Sequence, residues 1–360
     1  MTSVPYFNRY CILEVYNEQT GKAIVYRGNA SEKYADNGFV NTRIDFLVQK
    51  TKEKNNLPSA EIKIYNVSNY SNEDSAKNQV LQENAFVRLF VGYSYDFENN
   101  TEMQPVFEGE ILTIQDASSP PETYKILRCY GGLQLRAKRL PSISLKGQVS
   151  VANILSTING RLQDIGFQID IDSLKKVYPN SNNIISNRGY MTNGTSNISN
   201  FLDHLTSSIS SFDTKITWVA DDLTKKVYFY NLILYKEQNN QNAVVELIRG
   251  FNAKLVDNSS VERNNRELYY QKVANAGKKL SALQKKQARI GRSTTGYKNS
   301  VIITSPIFQG ITLNTNFKLT GFGELPKNLS LSTLRWIGNT HDSGGKWGIE
   351  YVFTYERRNK

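Results

Sequence analysis

The sequence predicts a mainly β protein with an α+β insert, and three observations support that prediction. Short segments of alternating apolar and polar residues, separated by turn-forming residues, fill both ends of the chain. Two segments with helical spacing of apolar residues stand between them. Aromatic residues make up 11% of the 360 residues and include 21 tyrosines, a composition that favours strands. We therefore expect three segments, residues 1–140, 141–239 and 240–360.

Residues 1–140 carry a series of strand patterns joined by turns, which is typical of a β-barrel or a sandwich. Apolar and polar residues alternate without interruption at residues 60–67. Residues 71–84 carry the weaker pattern of one amphipathic helix. The predicted strands are residues 10–16, 23–26, 45–48, 60–67, 86–93, 104–114 and 123–130.

Residues 141–239 differ from both ends because they carry helix signals. Ser150 is placed to cap a helix that Gly166 ends. Ser196 or Asn197 begins a second helix, and a hairpin through residues 221–224 follows it. The apolar faces of the two helices comprise Val151, Ile154, Leu155, Ile158, Leu162 and Ile165, and then Phe201, Leu202, Leu205 and Ile209. The segment therefore reads as a small α+β insert.

Residues 240–360 return to strand patterns, with one ambiguous stretch at residues 264–298. Part of that stretch has helical spacing, but Gly277 interrupts it, so helix, strand and loop all stay open there. The chain closes on a predicted hairpin whose turn, residues 342–345, tolerates positive φ. We expect Trp347 to pack into the core while His341 and Asp342 shape the turn. Trp347→Ala should then cost about 3–5 kcal/mol of stability.

The composition limits the classes of protein to which the chain can belong. No window approaches the roughly 18 consecutive apolar residues of a membrane span, and the N-terminus lacks the pattern of a secretory signal. There are two cysteines, Cys11 and Cys129, and the sequence does not decide whether they pair. We expect two reduced, buried residues in strands, made in a reducing cytoplasm.

Catalytic and metal signals are weak. The two histidines, His204 and His341, lie in no metal-ligand spacing with a cysteine, so we expect neither a metal nor a cofactor. Two carboxylate pairs, Glu108 with Glu110 and Asp170 with Asp172, fall at alternate positions of predicted strands. Two like charges side by side on one strand face are typical of a solvated surface rather than of a glycosidase cleft.

One segment of the chain differs from the rest in its charge. The chain carries a net charge of +11, and residues 268–323 contain no acidic residue. We expect the basic segment, residues 268–298, to meet a polyanion, an acidic neighbouring subunit or only solvent. Few aromatic residues are interleaved with the cations, so a sequence-reading nucleic-acid site is not predicted. The candidate contact residues are Lys272, Lys278, Lys279, Lys285, Lys286, Arg289 and Arg292.

Several segments in order resemble the central baseplate hub proteins of contractile-tailed phages, the family that includes the late control D proteins. In the first region the resemblance lies at residues 60–68, 91–93, 106–111 and 130–132, and the helix pattern at residues 151–165 fits the same order. It continues at residues 302–307 and from Trp336 to Trp347. Together these segments cover nearly the whole chain.

The resemblance implies two β-barrels of the tail-tube type flanking the insert. It implies a homotrimer that joins a sixfold tube to a threefold spike and lines a DNA channel. Implied partners are the tail tube protein, the central spike, other baseplate proteins, the tape measure protein and passing DNA. The resemblance implies no cofactor and no enzyme activity, and it places the protein in the virion tail after synthesis in the host cytoplasm. The alternatives are a tail-tip cell-wall hydrolase and a hexameric distal tail protein.

Overall fold

The structure of the chain is a computed structural model. It describes residues 9–28, 38–39, 41–52, 57–67, 80–93, 103–140, 142–192, 196–210, 216–221, 224–231, 245–261, 298–323, 325, 329–341 and 345–356. The protein is mostly β with few helices, as the sequence predicts.

Among the described residues, the first and last of the predicted segments consist mostly of strands. The first contains β1 Arg9–Asn17, β2 Lys22–Gly28, β3 Gly38–Phe39, β4 Ile44–Thr51, β5 Ser59–Tyr65, β6 Phe86–Tyr93, β7 Phe107–Ser119 and β8 Glu122–Tyr130. The last contains β16 Val245–Ile248, β17 Lys254–Val261, β18 Lys298–Ser305, β19 Phe317–Thr320, β20 Ser330–Asn339 and β21 Trp347–Glu356.

Among the described residues, the helix α1 Leu133–Ala137 ends the first segment, and the other helices lie in the middle segment, where short strands accompany them. The elements of the middle segment are β9 Ile143–Leu145, β10 Val149–Ser150, α2 Val151–Leu162, β11 Gln168–Ile169, α3 Ile171–Val177, β12 Ile184–Ser186, β13 Tyr190–Thr192, α4 Ile198–Ile209, β14 Ile216–Asp221 and β15 Lys226–Asn231.

One twelve-stranded sheet joins both ends of the chain. Its order is β17-β18-β21-β20-β4-β5-β8-β7-β6-β1-β2-β3, so the antiparallel pair β4–β20 links the first segment to the last. In the pairing of the described residues the sheet stays open at β3 and β17. The division of the chain into two tube-like barrels stays a prediction.

The sheet buries one shared core because its strands alternate. In β5 the residues Ala60, Ile62 and Ile64 are buried, whereas their neighbours are only partly covered. The same hydrophobic cluster contains Trp336 and Phe353 from the last segment. Removing apolar side chains of both segments from water therefore stabilises a single body.

The insert has its own core, built on the two predicted helices. Ser150 caps α2, where its Oγ accepts a hydrogen bond from the Asn153 amide at 3.2 Å, and Gly166 ends the turn after it with φ +74°. Asn197 caps α4 in the same way. The starts of both helices and the hairpin β14–β15 confirm the sequence prediction.

A third helix in the insert, α3, differs from the expectation. Asp170 and Asp172 do not share a strand face: the Asp170 carboxylate caps α3 by accepting the Ser173 amide hydrogen bond at 2.8 Å, and Asp172 lies within the helix. The helix has only seven residues, with Leu174 as its one buried residue, so its sequence carries no helical stripe.

Two further observations bear on the expectations from composition. Cys11 and Cys129 are free and buried in strands, which confirms their predicted state. None of the helices that the structure describes is long and apolar enough to cross a membrane.

Two substitutions in α2 should change stability in opposite directions. Gly160 lies exposed within the helix, where an added Cβ meets no atom within 4 Å, so Gly160→Ala should raise the free energy of unfolding by about 0.5–1 kcal/mol. Ser150→Ala removes the cap and should lower it by about 1 kcal/mol. Urea unfolding followed by circular dichroism measures both, and a change of the same sign in both variants would contradict the described helix.

Candidate assembly site at the closing hairpin

The hairpin β20–β21 docks on the first β segment at the point where β20 pairs with β4. Gly338 stands opposite Phe46 of β4 and opposite Trp347 of β21. The Phe46 and Trp347 rings meet edge to face, with centroids 5.4 Å apart. A Cβ at position 338 would overlap both rings, so the contact requires glycine there. The half-buried Trp347 thus packs against the core of the first segment.

Arg9 of β1 ties the two arms of the hairpin together. Its guanidinium donates hydrogen bonds to the Asn339 carbonyl at 3.0 Å and to the Gly345 carbonyl at 2.9 Å. The same group lies 5.7 Å from the centre of the Trp347 ring, within the range of a cation–π contact. A residue near the start of the described chain therefore fixes the end of the last hairpin.

Thr340 and His341 lie where the chain leaves β20. Thr340 is buried, and its Oγ1 accepts a hydrogen bond from the Ile44 amide at 3.0 Å while its own amide donates to the Ile44 carbonyl at 3.1 Å. His341 is exposed; its Nδ1 lies 2.9 Å from Thr340 Oγ1, and its amide donates to Asn339 Oδ1. Asp342 lies outside the described residues. The structural roles of His341 and Asp342 in the turn stay predictions.

A groove of about 820 Å³ opens beside this hairpin. Trp347 and Ile349 line one side, and residues 249–256 line the other. Its charged groups include Lys254 and Glu350. The Glu350 side chain is only 14% exposed and pairs with Lys346 at 3.2 Å and with Arg335 at 3.9 Å. The groove therefore combines apolar walls with charges of both signs, a surface suited to a protein contact.

The insert covers one face of β7, and this corrects the expected setting of Glu108 and Glu110. Glu108 is buried rather than solvated, and its carboxylate pairs with Arg88 at 2.9 Å and with Lys225 of the β14–β15 turn at 3.0 Å. Burial raises the pKa of Glu110, while a hydrogen bond from Gln134 opposes that shift. Because Glu108 is neutralised by two cations, it serves to join the insert to the sheet.

The three segments meet at Tyr230. Its hydroxyl donates a hydrogen bond to Asn314 Oδ1 at 2.6 Å, and the Lys52 amine lies 4.7 Å from the centre of its ring. Burial lowers the pKa of Lys52 to about 8 and raises the pKa of Tyr230. Lys52 comes from the first segment, Tyr230 from the insert and Asn314 from the last, so this contact fixes their mutual position.

The sequence predicts no catalytic residue and no metal ligand. Among the described residues, no group of three or more histidine, cysteine or acidic side chains could hold a metal ion. The seven candidate contact residues of the basic segment lie outside the described residues, so their role stays a prediction; they are Lys272, Lys278, Lys279, Lys285, Lys286, Arg289 and Arg292.

Two solved structures resemble the chain over nearly its full length. The 43 kDa tail protein of prophage MuSo2 from Shewanella oneidensis is 10% identical, with a TM-score of 0.51, and the similarity covers 97% of each chain. A tail protein from Neisseria meningitidis MC58 is also 10% identical, with a TM-score of 0.51, and the similarity covers 96% of each chain. No family model matches the sequence, and a comparison with curated proteins finds no match. The chain therefore has a fold that occurs in tail proteins, one of them from a prophage.

Sequence reasoning missed Arg9 and Thr340 as parts of this site. Neither carries a signal, because their partners lie about 300 residues away: Arg9 bonds Asn339 across 330 positions and Thr340 bonds Ile44 across 296. Gly338 offered a weak signal, since a glycine inside a strand pattern indicates close approach of another group.

Trp347→Ala should lower the free energy of unfolding by about 3 kcal/mol, the low end for a large aromatic residue, because the ring is only half-buried. The variant loses the contacts with Phe46 and Arg9. Phe251→Ala is a matched control, since Phe251 is 84% exposed and should change stability by less than about 0.5 kcal/mol. Equal stability of wild type and Trp347→Ala in urea would refute the packing role.

Proposed function

We propose that the chain is a structural virion protein that forms the trimeric central hub of a phage tail baseplate. The observation that carries the proposal is the similarity of fold to two tail proteins, one of them from a prophage, over 97% and 96% of the chain. In this role the protein adapts a sixfold tail tube to a threefold spike and lines the channel for DNA. It acts in the virion tail after synthesis in the host cytoplasm.

The single sheet that joins both ends of the chain supports the proposed role as a hub. A hub transmits force between tube and spike, so its segments must keep their relative positions. The β4–β20 pairing and the shared core hold the two β segments as one body, and the contacts of Glu108 and Tyr230 attach the insert. Three copies with two tube-like units each would present six units to the tube, with the spike, other baseplate proteins and the tape measure protein as further partners.

The basic segment suits a channel wall or an acidic subunit contact. Its cations attract phosphate without reading bases, and salt screens that attraction. Tight binding would hinder the passage of DNA, so we expect the segment to attract DNA only weakly.

No observation favours the cell-wall hydrolase. A glycosidase needs two carboxylates facing each other across a substrate cleft. Of the pairs considered, Glu108 is held by two cations and Asp170 caps α3. We therefore propose that the protein is not an enzyme.

Copy number tests the proposed hub. Purified tail particles should contain three copies of the chain, measured by quantitative mass spectrometry against the tube protein, and imaging of the particle should show threefold density at the tube end. Six copies would contradict the proposal and support a hexameric distal tail ring. The free protein is a poorer test, because neighbouring subunits help to stabilise such assemblies.

Reversing Lys278, Lys279, Lys285 and Lys286 to Glu should impair tail assembly or slow DNA ejection, because the channel wall or subunit contact loses its positive charge. Plaque titre and DNA release measure the effect. The control reverses Lys22, Lys146, Lys175 and Lys176, which are exposed and lie away from the basic segment in the chain, and it should leave both unchanged. Unchanged titre in the first variant, or tight sequence-specific DNA binding by the wild type at physiological salt, would contradict the role.

A further inference from the structure

The groove beside the closing hairpin carries an excess of positive charge among the described residues that line it. Arg249, Lys254 and Lys346 are exposed cations of its lining, whereas Glu350 is the one carboxylate. Arg335, which lies outside the lining, shares that carboxylate with Lys346, at distances of 3.9 Å and 3.2 Å. The carboxylate is therefore already paired, and the groove as a whole is positively charged.

The cations accompany apolar surface on both sides of the groove. Arg249 and Lys254 stand on either side of Phe251 along the chain, at the turn between β16 and β17. Lys346 directly precedes Trp347 on the opposite side. The Phe251 side chain is 84% exposed and Trp347 is half-buried, so both rings offer apolar surface to a partner.

Hydrogen bonds fix the turn that presents Phe251. The Ile248 carbonyl accepts hydrogen bonds from the Phe251 and Asn252 amides, both at 3.2 Å. The Asn252 side chain accepts from the Ile248 amide at 2.7 Å and donates to the Glu246 carbonyl at 2.9 Å. The ring is therefore in position before a partner arrives, which lowers the entropy lost on binding.

We propose that the groove binds an acidic segment of another protein, in which large apolar residues stand between acidic residues. The apolar side chains pack against Phe251 and Trp347, and the neighbouring carboxylates pair with Lys254 and Lys346. Complementary charge of this kind selects the partner and speeds the encounter. The groove can hold such a segment whatever the copy number of the proposed hub.

A protein segment fits the groove walls better than a nucleic acid does. Proteins that bind single strands use successive aromatic rings along a track of cations. Aliphatic side chains have no π-face on which a base could stack, and they suit the apolar side chains of a protein partner. The aliphatic residues of the lining include Leu255, Val256, Pro306 and Ile337.

The size of the groove predicts a modest affinity for an isolated segment. Its volume of about 820 Å³ accommodates only a few side chains. A segment that fits this volume buries less than the roughly 800 Å² per partner of a stable interface. We therefore expect a dissociation constant of about 10–100 μM for a short peptide.

Fluorescence polarisation of labelled peptides with the full purified chain tests the site. The probes are peptides of about eight residues whose two central positions hold Leu, Ile, Phe or Trp and whose other positions hold glutamate. The tightest of them should show the expected affinity. A matched peptide with serine at both central positions, and one with lysine in place of glutamate, should each bind at least about tenfold more weakly.

Two variants locate the binding in the groove. Phe251→Ser removes the exposed ring, and Lys254→Glu combined with Lys346→Glu reverses the charge. Each should weaken binding of the glutamate peptide about tenfold or more. The charge-reversed variant should also bind the lysine peptide more tightly than the wild type does, which a merely structural defect would not produce.

The matched controls change exposed residues of the insert. Met191→Ser removes an apolar side chain that is 74% exposed. Lys146→Glu combined with Lys176→Glu reverses two exposed lysines. Both controls should bind the glutamate peptide like the wild type, and thermal unfolding should show that all four variants fold.

Three results would overturn the inference: no binding of any glutamate peptide up to about 1 mM, equal binding of the serine peptide, or wild-type affinity in either groove variant. Tighter binding of an oligothymidine than of any peptide, lost in Phe251→Ser, would assign the groove to single-stranded DNA instead. Copy number judges the hub separately. Six copies per particle with the expected peptide binding would overturn the hub alone, and three copies without peptide binding would overturn only the docking site.

Discussion

The antiparallel pairing of β4 with β20 is the contact on which the rest of the structure depends. It runs from Thr51 opposite Thr333 to Asp45 opposite Asn339, and a buried hydrogen bond of 2.9 Å joins the two threonine hydroxyls. Without it the twelve-stranded sheet would divide into two sheets and the common core would open to water. Trp347 docks at this pairing, where its ring meets Phe46 of β4.

The insert is joined to the sheet differently. Its hydrophobic core is largely separate from that of the sheet, although Val219 of β14 packs in the core of the sheet and Leu57 of the first segment packs in the core of the insert. Polar contacts also span the boundary. Glu108 is buried and pairs with two cations, so removing both would leave its charge unpaired in a poorly hydrated place, which is costly. Apolar surfaces can slide against each other, whereas hydrogen-bonded charges fix distance and direction. The insert therefore has one defined position on β7.

Local pattern was sufficient to predict most of the elements. In β5 and in α2 the order of apolar and polar residues matches the order of buried and exposed ones, so both elements could be recognised in the sequence. The N-terminal cap of α2 was a further signal. Helix α3 could not, because a single buried leucine leaves no period to detect. The burial of Glu108 could not be predicted either, because the sequence of a strand does not show that a turn distant in the chain packs on one of its faces. Pairing between strands almost 300 residues apart is likewise absent from any local pattern.

The pairing of β4 with β20 also constrains how the protein folds during synthesis. Thr51 precedes its partner Thr333 by 282 residues, so β4 leaves the ribosome long before the strand that completes its edge. At a synthesis rate of about 5–20 residues per second, that edge waits roughly 15–55 s. An unpaired strand edge invites pairing with other chains. The nascent protein must therefore be shielded or remain unfolded there until β20 emerges, and the mature body forms in one late step.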